Sequence, residues 1–463
     1  MPKIIPPCPK KTPGKPQASP PYSIEVLTPM VGGGVIAGET DLTFPIRPTA
    51  IRGHLRHWWR LTVGQPLGSG MWQREEEVFG STEFASPLEI RVPGWSRVDQ
   101  FDPRNRDEID RYRGQFGPAA YAMFASIENK HRVAKEGIRF DLSIHTPTVA
   151  ELSCRRAAQN EARRKSHKEL LPSVILPIVG DIETALRAWL AFGGLGGRTR
   201  RGCGAVHCKT LTEKAGPLPS VPARVFVGKE TSTAKDAWMD AVQAYRDFRQ
   251  TPRGGKHKKT IQTRTGPKEI IVPGRSHWPE ADSIRQISGC SLKPPRGTTP
   301  SGVPADEDTH DHSTPVVAQS LLPSFPKALL GLPINFHFAD GPNKGPAAAN
   351  LDPKDVQLYP LLRGQNGTWE KAERMASPVI TRPLWIAGKW HPAMIVLAHP
   401  LPPGFRVRVE GKNAALGGNL SRDLQPDQIA DARLGGLTPM RRQANAVDAL
   451  IEFLTKEQNW RKL

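Results

Sequence analysis

The pattern of hydrophobic and polar positions opens with an alternating segment. "YSIEVLTPM" (22–30) alternates as a half-buried strand does, and it runs into the glycines of "VGGG". After Pro48 the period becomes helical, with Thr49 as the expected N-cap. The apolar side of this helix carries Ile51, Leu55, Trp58, Trp59 and Thr62. The pattern therefore predicts a strand followed by a helix.

The next segments complete an order of elements. Strands are predicted at 86–93, 137–147 and 203–211, and a helix is predicted at 181–192 with Asp181 as its N-cap. The order strand, helix, strand, strand, helix, strand is the split βαβ pattern of ferredoxin-like domains. We expect an α+β domain of this kind over residues 22–212.

The second half of the chain follows a proline-rich linker at 213–223. A helix at 236–248 and an amphipathic helix at 445–460 are predicted, and the basic segment 249–268 lacks periodicity and is predicted to be a flexible loop. Strands are predicted at 332–338, 377–388, 391–400 and 405–411. We expect a second α+β domain over 224–463 with a flexible loop near 290–318, and a disordered tail over 1–21.

The charge balance indicates the kind of partner. The chain has 463 residues, with 64 Lys and Arg against 45 Asp and Glu, a net charge of +19. Such an excess favours a polyanion, with nucleic acid as the leading class. Five scattered cysteines do not form a disulfide framework, and no segment resembles a signal peptide or a membrane span. We expect a cytoplasmic protein.

The helix after Pro48 carries a basic stripe. Arg52, Arg56 and Arg60 fall within about 80° of the helix circumference, beside the apolar side, and His54 and His57 lie further round. Guanidinium groups bind phosphate through two hydrogen bonds and stack on bases, so the stripe suits RNA. A solvated helix face explains the same spacing, and both interpretations stay open. The tryptophan pair is expected in the core.

The segment "GGLGGRTRRGCG" (193–204) is a second candidate anion site. Its six glycines are expected to leave backbone amides open, and Arg198, Arg200 and Arg201 would add charge to the same loop. An ordinary glycine-rich turn is the alternative. The loop is not a nucleotide-hydrolysis motif, because Cys203 stands where the phosphate-binding lysine belongs. "GGGVIA" is not followed by a helix, which excludes a dinucleotide site.

Support for catalysis or metal binding is thin. His54 and His57 could act as acid and base, yet no carboxylate pairs with them in sequence. The cluster "DEDTHDH" (306–312) lies in a Pro, Ser and Gly rich stretch that would not fix a metal geometry. The basic run at 153–168 is either a phosphate-binding surface or a solvated insertion. No cofactor and no metal are expected.

Three ordered motifs resemble a known family. "VLTPMVGGG", "IRPTAIRGHLRHWWR" and "GGLGGRTRRGCGAV" are similar to the RAMP superfamily of CRISPR-associated proteins, and within it to the family of the first subunit of the type III-B Cmr effector. "PGRSHWPEADSIR", "FPKALLGLPINFHF" and "RMASPVITRPLWI" resemble that family's second half. The tail, the 153–168 insertion and the 290–318 loop fall outside the shared motifs.

The resemblance implies two tandem ferredoxin-like domains with insertions. It also implies a non-catalytic subunit of an antiviral ribonucleoprotein, at the end that holds the 3′ part of the guide RNA, beside other RAMP subunits and engaging complementary target RNA. The motifs and the stripe together give the expected RNA-binding residues, which are Arg52, Gly53, His54, Arg56, Trp58, Arg60, Gly194, Gly196, Arg198, Thr199, Arg200, Arg201 and Gly202. The alternative is a metal-independent RAMP endoribonuclease that matures guide RNA with His54 or His57.

Overall fold

The chain forms two compact units. The structure, a computed structural model, describes residues 21–105, 107–108, 110–111, 117–172, 175–212, 218–250, 256–263, 266–273, 277–289, 323–336, 353–364, 366–398, 404–412 and 418–463. The first unit comprises Met1–Gln243, Ile380–Leu397 and Leu463, and the second comprises Ala244–Val379 and Ala398–Lys462. Residues 1–20 of the predicted tail, residues 213–217 of the predicted linker and the predicted loop near 290–318 lie outside the described residues.

Helices and strands alternate along much of the described chain. The helices are α1 (Pro48–Trp59), α2 (Met71–Phe79), α3 (Ala120–Glu128), α4 (Val149–Lys165), α5 (Val179–Phe192), α6 (Lys209–Thr212), α7 (Ala234–Gln250), α8 (Glu280–Ile287) and α9 (Ala446–Glu452). The strands are β1 (Tyr22–Val26), β2 (Met30–Val31), β3 (Glu89–Arg91), β4 (Gln100–Phe101), β5 (Val133–Ala134), β6 (Arg139–His145), β7 (Val206–His207), β8 (Ala223–Val227), β9 (Lys256–Thr263), β10 (Gly266–Pro273), β11 (Ile334–Phe336), β12 (Lys354–Arg363), β13 (Trp369–Lys371), β14 (Val379–Ile386), β15 (Lys389–Leu397), β16 (Arg406–Lys412), β17 (Asn419–Leu424) and β18 (Arg461–Lys462). None of the helices in the described ranges is both long and apolar enough to span a bilayer.

The first sheet has the topology that the sequence predicts. Its strand order is β3-β6-β1-β7, and all neighbours run antiparallel. Along the chain, α1 lies between β1 and β3, and α5 lies between β6 and β7. This is the split βαβ arrangement of a ferredoxin-like domain, so the prediction of an α+β ferredoxin-like fold is confirmed.

One hydrophobic core supports this sheet. Ile24 of β1 lies opposite Phe140 of β6, and both are buried. The predicted apolar side of α1 is buried as well, and α1 packs beside α5. Fully burying one such apolar side chain stabilises the fold by about 1.5–3 kcal/mol relative to exposure, so this core fixes where α1 lies.

The first domain also contains inserted strands and helices between the elements of its main sheet. Strands β2, β4 and β5 form a small separate sheet in the order β2-β5-β4. The basic run at 153–168 falls mostly on α4, which begins with a capping box between Thr148 and Glu151. Arg156 of α4 is buried against Glu77 of α2, at 2.6 Å. Most of the run therefore lies on a helix that the pair between Arg156 and Glu77 anchors to α2.

The order of elements repeats in the second half. Strands β8, β14 and β15 pair in the order β14-β15-β8, and the amide of Leu463 donates to the carbonyl of Val225 in β8 at 3.0 Å. Helix α7 follows β8, while α9 follows β15 and precedes β18. The β-α-β-β-α-β order is thus present twice, with long insertions in the second copy. Side chains from both sheets contribute to the same core of the first unit.

The second unit contains the larger insertions. Strands β11, β12, β16 and β17 pair in that order, and β13 joins β12. Strands β9 and β10 form an antiparallel ribbon, so the prediction of a loop over 249–268 is wrong. The lysine-rich segment gains its strand by pairing with the apolar run at 270–272, a partner that local periodicity does not reveal. The predicted helix at 445–460 is helical through Glu457 and is followed by β18.

Two predicted helix caps are wrong. Helix α1 begins at Pro48 with Arg47 as its N-cap residue, because proline is suited to the first helical position and Thr49 therefore lies inside the helix. Helix α5 begins at Val179, which places Asp181 in its first turn. The carboxylate of Asp181 instead accepts a hydrogen bond from the indole of Trp59 at 2.9 Å.

Candidate nucleic-acid interface

The arginine stripe on α1 is paired in part. Arg52 is exposed, one turn before Arg56. Arg60 donates to Glu75 of α2 through Nε at 2.8 Å and Nη2 at 2.5 Å, and Arg56 also donates to this carboxylate. Two guanidinium groups therefore share one carboxylate, and the stripe keeps a positive excess.

Glu75 is the anchor of this cluster, with only 1% of its side chain exposed. Burial alone would raise the pKa of Glu75, but hydrogen bonds from Arg60 and Arg56 outweigh burial and the pKa is lowered. The carboxylate stays ionised at neutral pH and fixes both guanidinium groups on the surface of α1.

The glycine-arginine loop (193–204) is held by its own backbone. The expectation of open amides differs from the structure, because many of them already donate to carbonyl groups. The donors are the amides of Gly193, Leu195, Gly197, Arg201, Gly202 and Gly204. These hydrogen bonds hold the backbone of the loop in place, so these amides are not open donors for a ligand.

Two glycines of the loop are required by close contacts. Gly196 has φ +76°, and a Cβ there would lie 2.6 Å from the carbonyl of Val31. Gly202 has φ +74°, and a Cβ there would lie 2.5 Å from the carbonyl of Thr381. Only glycine fits these positions without displacing backbone. Gly194 is closely packed too, since its Cβ would lie 2.8 Å from the carbonyl of Gly204.

The three arginines of the loop sit on a short 3-10 turn. Arg198 precedes it in a left-handed conformation and donates to the carbonyl of Ala122. Thr199, Arg200 and Arg201 form the turn, and the indole of Trp238 donates to the carbonyl of Arg201 at 2.8 Å. Burial and the nearby charge of Arg201 lower the pKa of Arg200. A negative charge next to Arg200 and Arg201 would raise the pKa of Arg200, so a phosphate group is a favourable neighbour for these two arginines.

The structure brings the stripe and the loop together. Burial and the positive charges of Arg200 and Arg60 lower the pKa of His57. At the base of the loop, a Cβ on Gly193 would lie 2.7 Å from the indole nitrogen of Trp58. The start of the loop therefore lies against α1, the helix that carries the stripe. We refer to the stripe and the loop together as the basic surface.

Comparison with known families bears on this region. Residues 23–207 match the model of the RAMP superfamily. This RAMP region includes the stripe, the loop and nearly all of the first sheet. No curated protein matches the sequence. Among solved structures, the apo crystal structure of Cmr1 from Pyrococcus furiosus is similar at 13% identity and a TM-score of 0.41, covering 96% of this chain and 97% of that chain.

Two expected RNA-binding residues of the RAMP region, Trp58 and His54, pack against aromatic side chains of α5. Trp58 is buried and packs against Phe192 at a ring distance of 5.8 Å. His54 stacks on Trp189 at 6.1 Å. Burial and the neighbouring His57 lower the pKa of His54 to about 4, so it is neutral at pH 7. Gly53 is exposed with open space around its Cα.

Arg382 was not identified from the sequence; it lies outside the RAMP region and donates hydrogen bonds to carbonyls at and around the glycine-arginine loop. It is 3% exposed and donates to the carbonyls of Gly193 at 2.7 Å, Leu190 at 3.0 Å and Val206 at 3.2 Å. Burial lowers the pKa of Arg382 to about 9. Carbonyls at the C-terminal end of α5 favour a cation there. Arg382 therefore links β14 to Gly193 at the start of the loop and to Val206 just after its end. No local pattern marks such a long-range contact.

Metal and thiol chemistry find little support. Across the described ranges, no three His, Cys, Asp or Glu side chains converge as metal ligands would. Cys203 and Cys208 are buried, and burial raises the pKa of Cys203 to about 12. The thiol of Cys203 is therefore protonated at neutral pH and is not a nucleophile.

Proposed function

We propose that this chain is a non-catalytic RNA-binding subunit of a type III-B CRISPR (Cmr) ribonucleoprotein effector. The observation that carries the proposal is that the arginine stripe and the glycine-arginine loop belong to one domain, where the start of the loop packs against the helix that carries the stripe. The basic surface belongs to a ferredoxin-like domain that matches the RAMP superfamily. Guanidinium groups fixed on helices and rigid loops hold phosphates well, because little conformational entropy is lost on binding.

The proposed ligand is guide RNA together with complementary target RNA. Contacts from guanidinium groups to phosphates read the backbone and not the bases, so the chain would bind many sequences alike and pairing with the guide would supply specificity. The motif resemblance further suggests a place at the end of a cytoplasmic complex that holds the 3′ part of the guide, beside other RAMP subunits. In this proposal the RNA-contacting residues are those of the stripe and the loop, with Gly194, Gly196 and Gly202 shaping the backbone. The chain would form two domains joined near 213–223.

Co-purification from the native host tests this proposal. The tagged chain is expected to recover repeat-derived guide RNA, identified by sequencing, together with other RAMP proteins, identified by mass spectrometry. A matched variant with Arg198, Arg200 and Arg201 changed to Ala should recover less RNA at equal protein yield. Recovery of the chain alone, with no guide RNA, would contradict the proposal.

The alternative is a metal-independent endoribonuclease. A general base must reach the proton that it removes, usually within about 2.6–3.2 Å. The ring of His54 stacks on the buried Trp189, which argues against His54 as a general base. Incubation of the chain with precursor guide RNA tests the alternative directly. Discrete cleavage that is lost in the His54→Ala or the His57→Ala variant would favour the enzyme over the scaffold.

A further inference from the structure

Trp72 is an exposed indole beside the arginine stripe. It lies in the first turn of α2, and 62% of its surface is exposed. By contrast, Trp58 and Trp59 on α1 are buried, as large aromatic side chains usually are. An exposed indole adds nothing to the hydrophobic core, so a contribution to the stability of the fold does not explain why a tryptophan stands at this position.

The ring of Trp72 is held in place by the charge cluster. The guanidinium carbon of Arg60 lies over the indole, 5.3 Å from the ring centroid. Arg60 is itself fixed by its two hydrogen bonds to Glu75, which lies three residues after Trp72 on α2. One face of the indole is thus covered by a fixed cation, and most of the residue's surface stays open to solvent.

Trp72 also extends the basic surface in a definite direction. Arg52, Arg56 and Arg60 follow one another at four-residue steps along α1, and Arg60 covers Trp72. The arginine stripe therefore leads along α1 to the indole. Proteins that bind single strands combine a cationic path for the phosphates with aromatic rings on which bases stack. This surface has both parts.

We propose that Trp72 stacks on a base of bound single-stranded RNA, at the α2 end of the basic surface. The inference rests on the proposed RNA-binding function and adds a contact to a base, where the stripe and the loop contact phosphates. Stacking is tolerant of sequence because every base has a π-face, so this contact increases affinity without selecting a sequence. The charge of Arg60 favours a phosphate next to the stacked base.

The test measures binding of an unstructured RNA strand of about 20 nucleotides to the full chain by fluorescence anisotropy over a range of salt. Trp72→Ala is expected to weaken binding by about 5- to 150-fold. The slope of log affinity against log salt should not change, because the same phosphates stay bound to the arginines. Trp72→Phe should retain most of the affinity. Leu67→Ala removes another exposed apolar side chain (43% exposed), five residues before Trp72, and should bind as the unaltered chain does.

A strand that carries abasic sites separates stacking from a structural effect. The unaltered chain should lose affinity for the abasic strand, and Trp72→Ala should bind both strands equally. If Trp72→Ala binds normal RNA as tightly as the unaltered chain, the proposal is overturned and the indole is left as a contact for a neighbouring protein. An equal loss on both strands also overturns it. If the unaltered chain binds no RNA, alone or in its complex, the RNA-binding function itself fails.

Discussion

At the scale of single residues, Glu75 changes what the arginine stripe presents. Sequence periodicity correctly places Arg52, Arg56 and Arg60 on one side of α1, because helical spacing is a local property. It does not reveal that a buried carboxylate on α2 pairs with two of them. The stripe therefore combines one exposed arginine with a fixed cluster of net charge +1.

Removing the charge of Glu75 should lower stability and raise the salt dependence of RNA binding. Glu75→Gln is expected to lose about 1–3 kcal/mol in the free energy of unfolding at pH 7, measured with urea, because its hydrogen bonds to charged groups are weakened or broken. The two guanidinium groups, no longer balanced, should steepen the salt slope. Glu161→Gln, which disrupts exposed pairs with Arg164 and Lys165, should cost less than about 1 kcal/mol.

The contribution of Glu75 should also depend on pH. Its pKa is lowered in the folded state, so its stabilisation is present above the unfolded pKa of about 4.3 and is lost as pH falls through the lower folded value. Urea titrations from neutral to acidic pH should therefore show the unaltered chain and Glu75→Gln converging in acid. A difference that stays constant down to about pH 3 would contradict this role of the carboxylate.

Two glycines of the expected site should respond in opposite directions to alanine. Gly196→Ala places a Cβ against the carbonyl of Val31 at positive φ and should destabilise the chain by at least about 1–3 kcal/mol. Gly53→Ala lies in the middle of α1 with open space around it and should stabilise the chain by up to about 1 kcal/mol. Thermal unfolding checks both, and a stabilising Gly196→Ala would refute the close contact.

At the scale of elements, local patterns predict the helices and strands whose buried faces are periodic. Helix α1 and strand β6 are examples, since each buries the apolar positions that its period indicates. Strand β9 was not predicted, because it is stabilised by pairing with β10 and its own sequence has no alternating pattern. The glycine-arginine loop is found as a motif, but its hydrogen bonds to Val31 and Pro29 come from another part of the chain.

The loop's contribution to RNA binding can be measured through salt dependence. Changing Arg198, Arg200 and Arg201 together to Ala should weaken binding and lower the salt slope by roughly 0.7 for each phosphate of a single strand that the variant no longer binds. Changing Arg91, Arg97 and Lys389 to Ala removes the same formal charge from exposed positions outside the stripe, the loop and the 153–168 run, and serves as the control. A slope that is lowered equally by both variants would attribute the effect to overall charge.

At the scale of the whole molecule, the first compact unit draws on distant parts of the chain. It includes residues 380–397 in addition to the RAMP region, and Arg382, Thr381 and Trp238 all contact the glycine-arginine loop. A sequence pattern predicts two tandem domains, yet it cannot show that β14 supports a loop of the first. The reason is that Arg382 donates to backbone carbonyls, which every residue has, so no residue type in the sequence marks its partners.

A chain that ends at residue 212 should therefore lack a properly formed loop. Arg382→Met in the full chain should cost about 2–4 kcal/mol, because several buried carbonyls lose their donor. Limited proteolysis should cut within 193–204 in the truncated chain and in Arg382→Met, but not in the unaltered chain. Arg374→Met, which removes an exposed arginine, is the control for loss of charge. Equal protection of the loop in all four proteins would contradict the role of Arg382.

The position of Arg382 has a consequence for the protein's synthesis. Gly193 and Arg382 are 189 residues apart, so the ribosome translates the loop long before the guanidinium that secures it. At about 5–20 residues per second, the delay is roughly 10–40 s. The nascent chain thus carries the arginines of the loop without its finished shape. Under the proposed function, capture of RNA by the finished loop would be postponed until most of the polypeptide has been made.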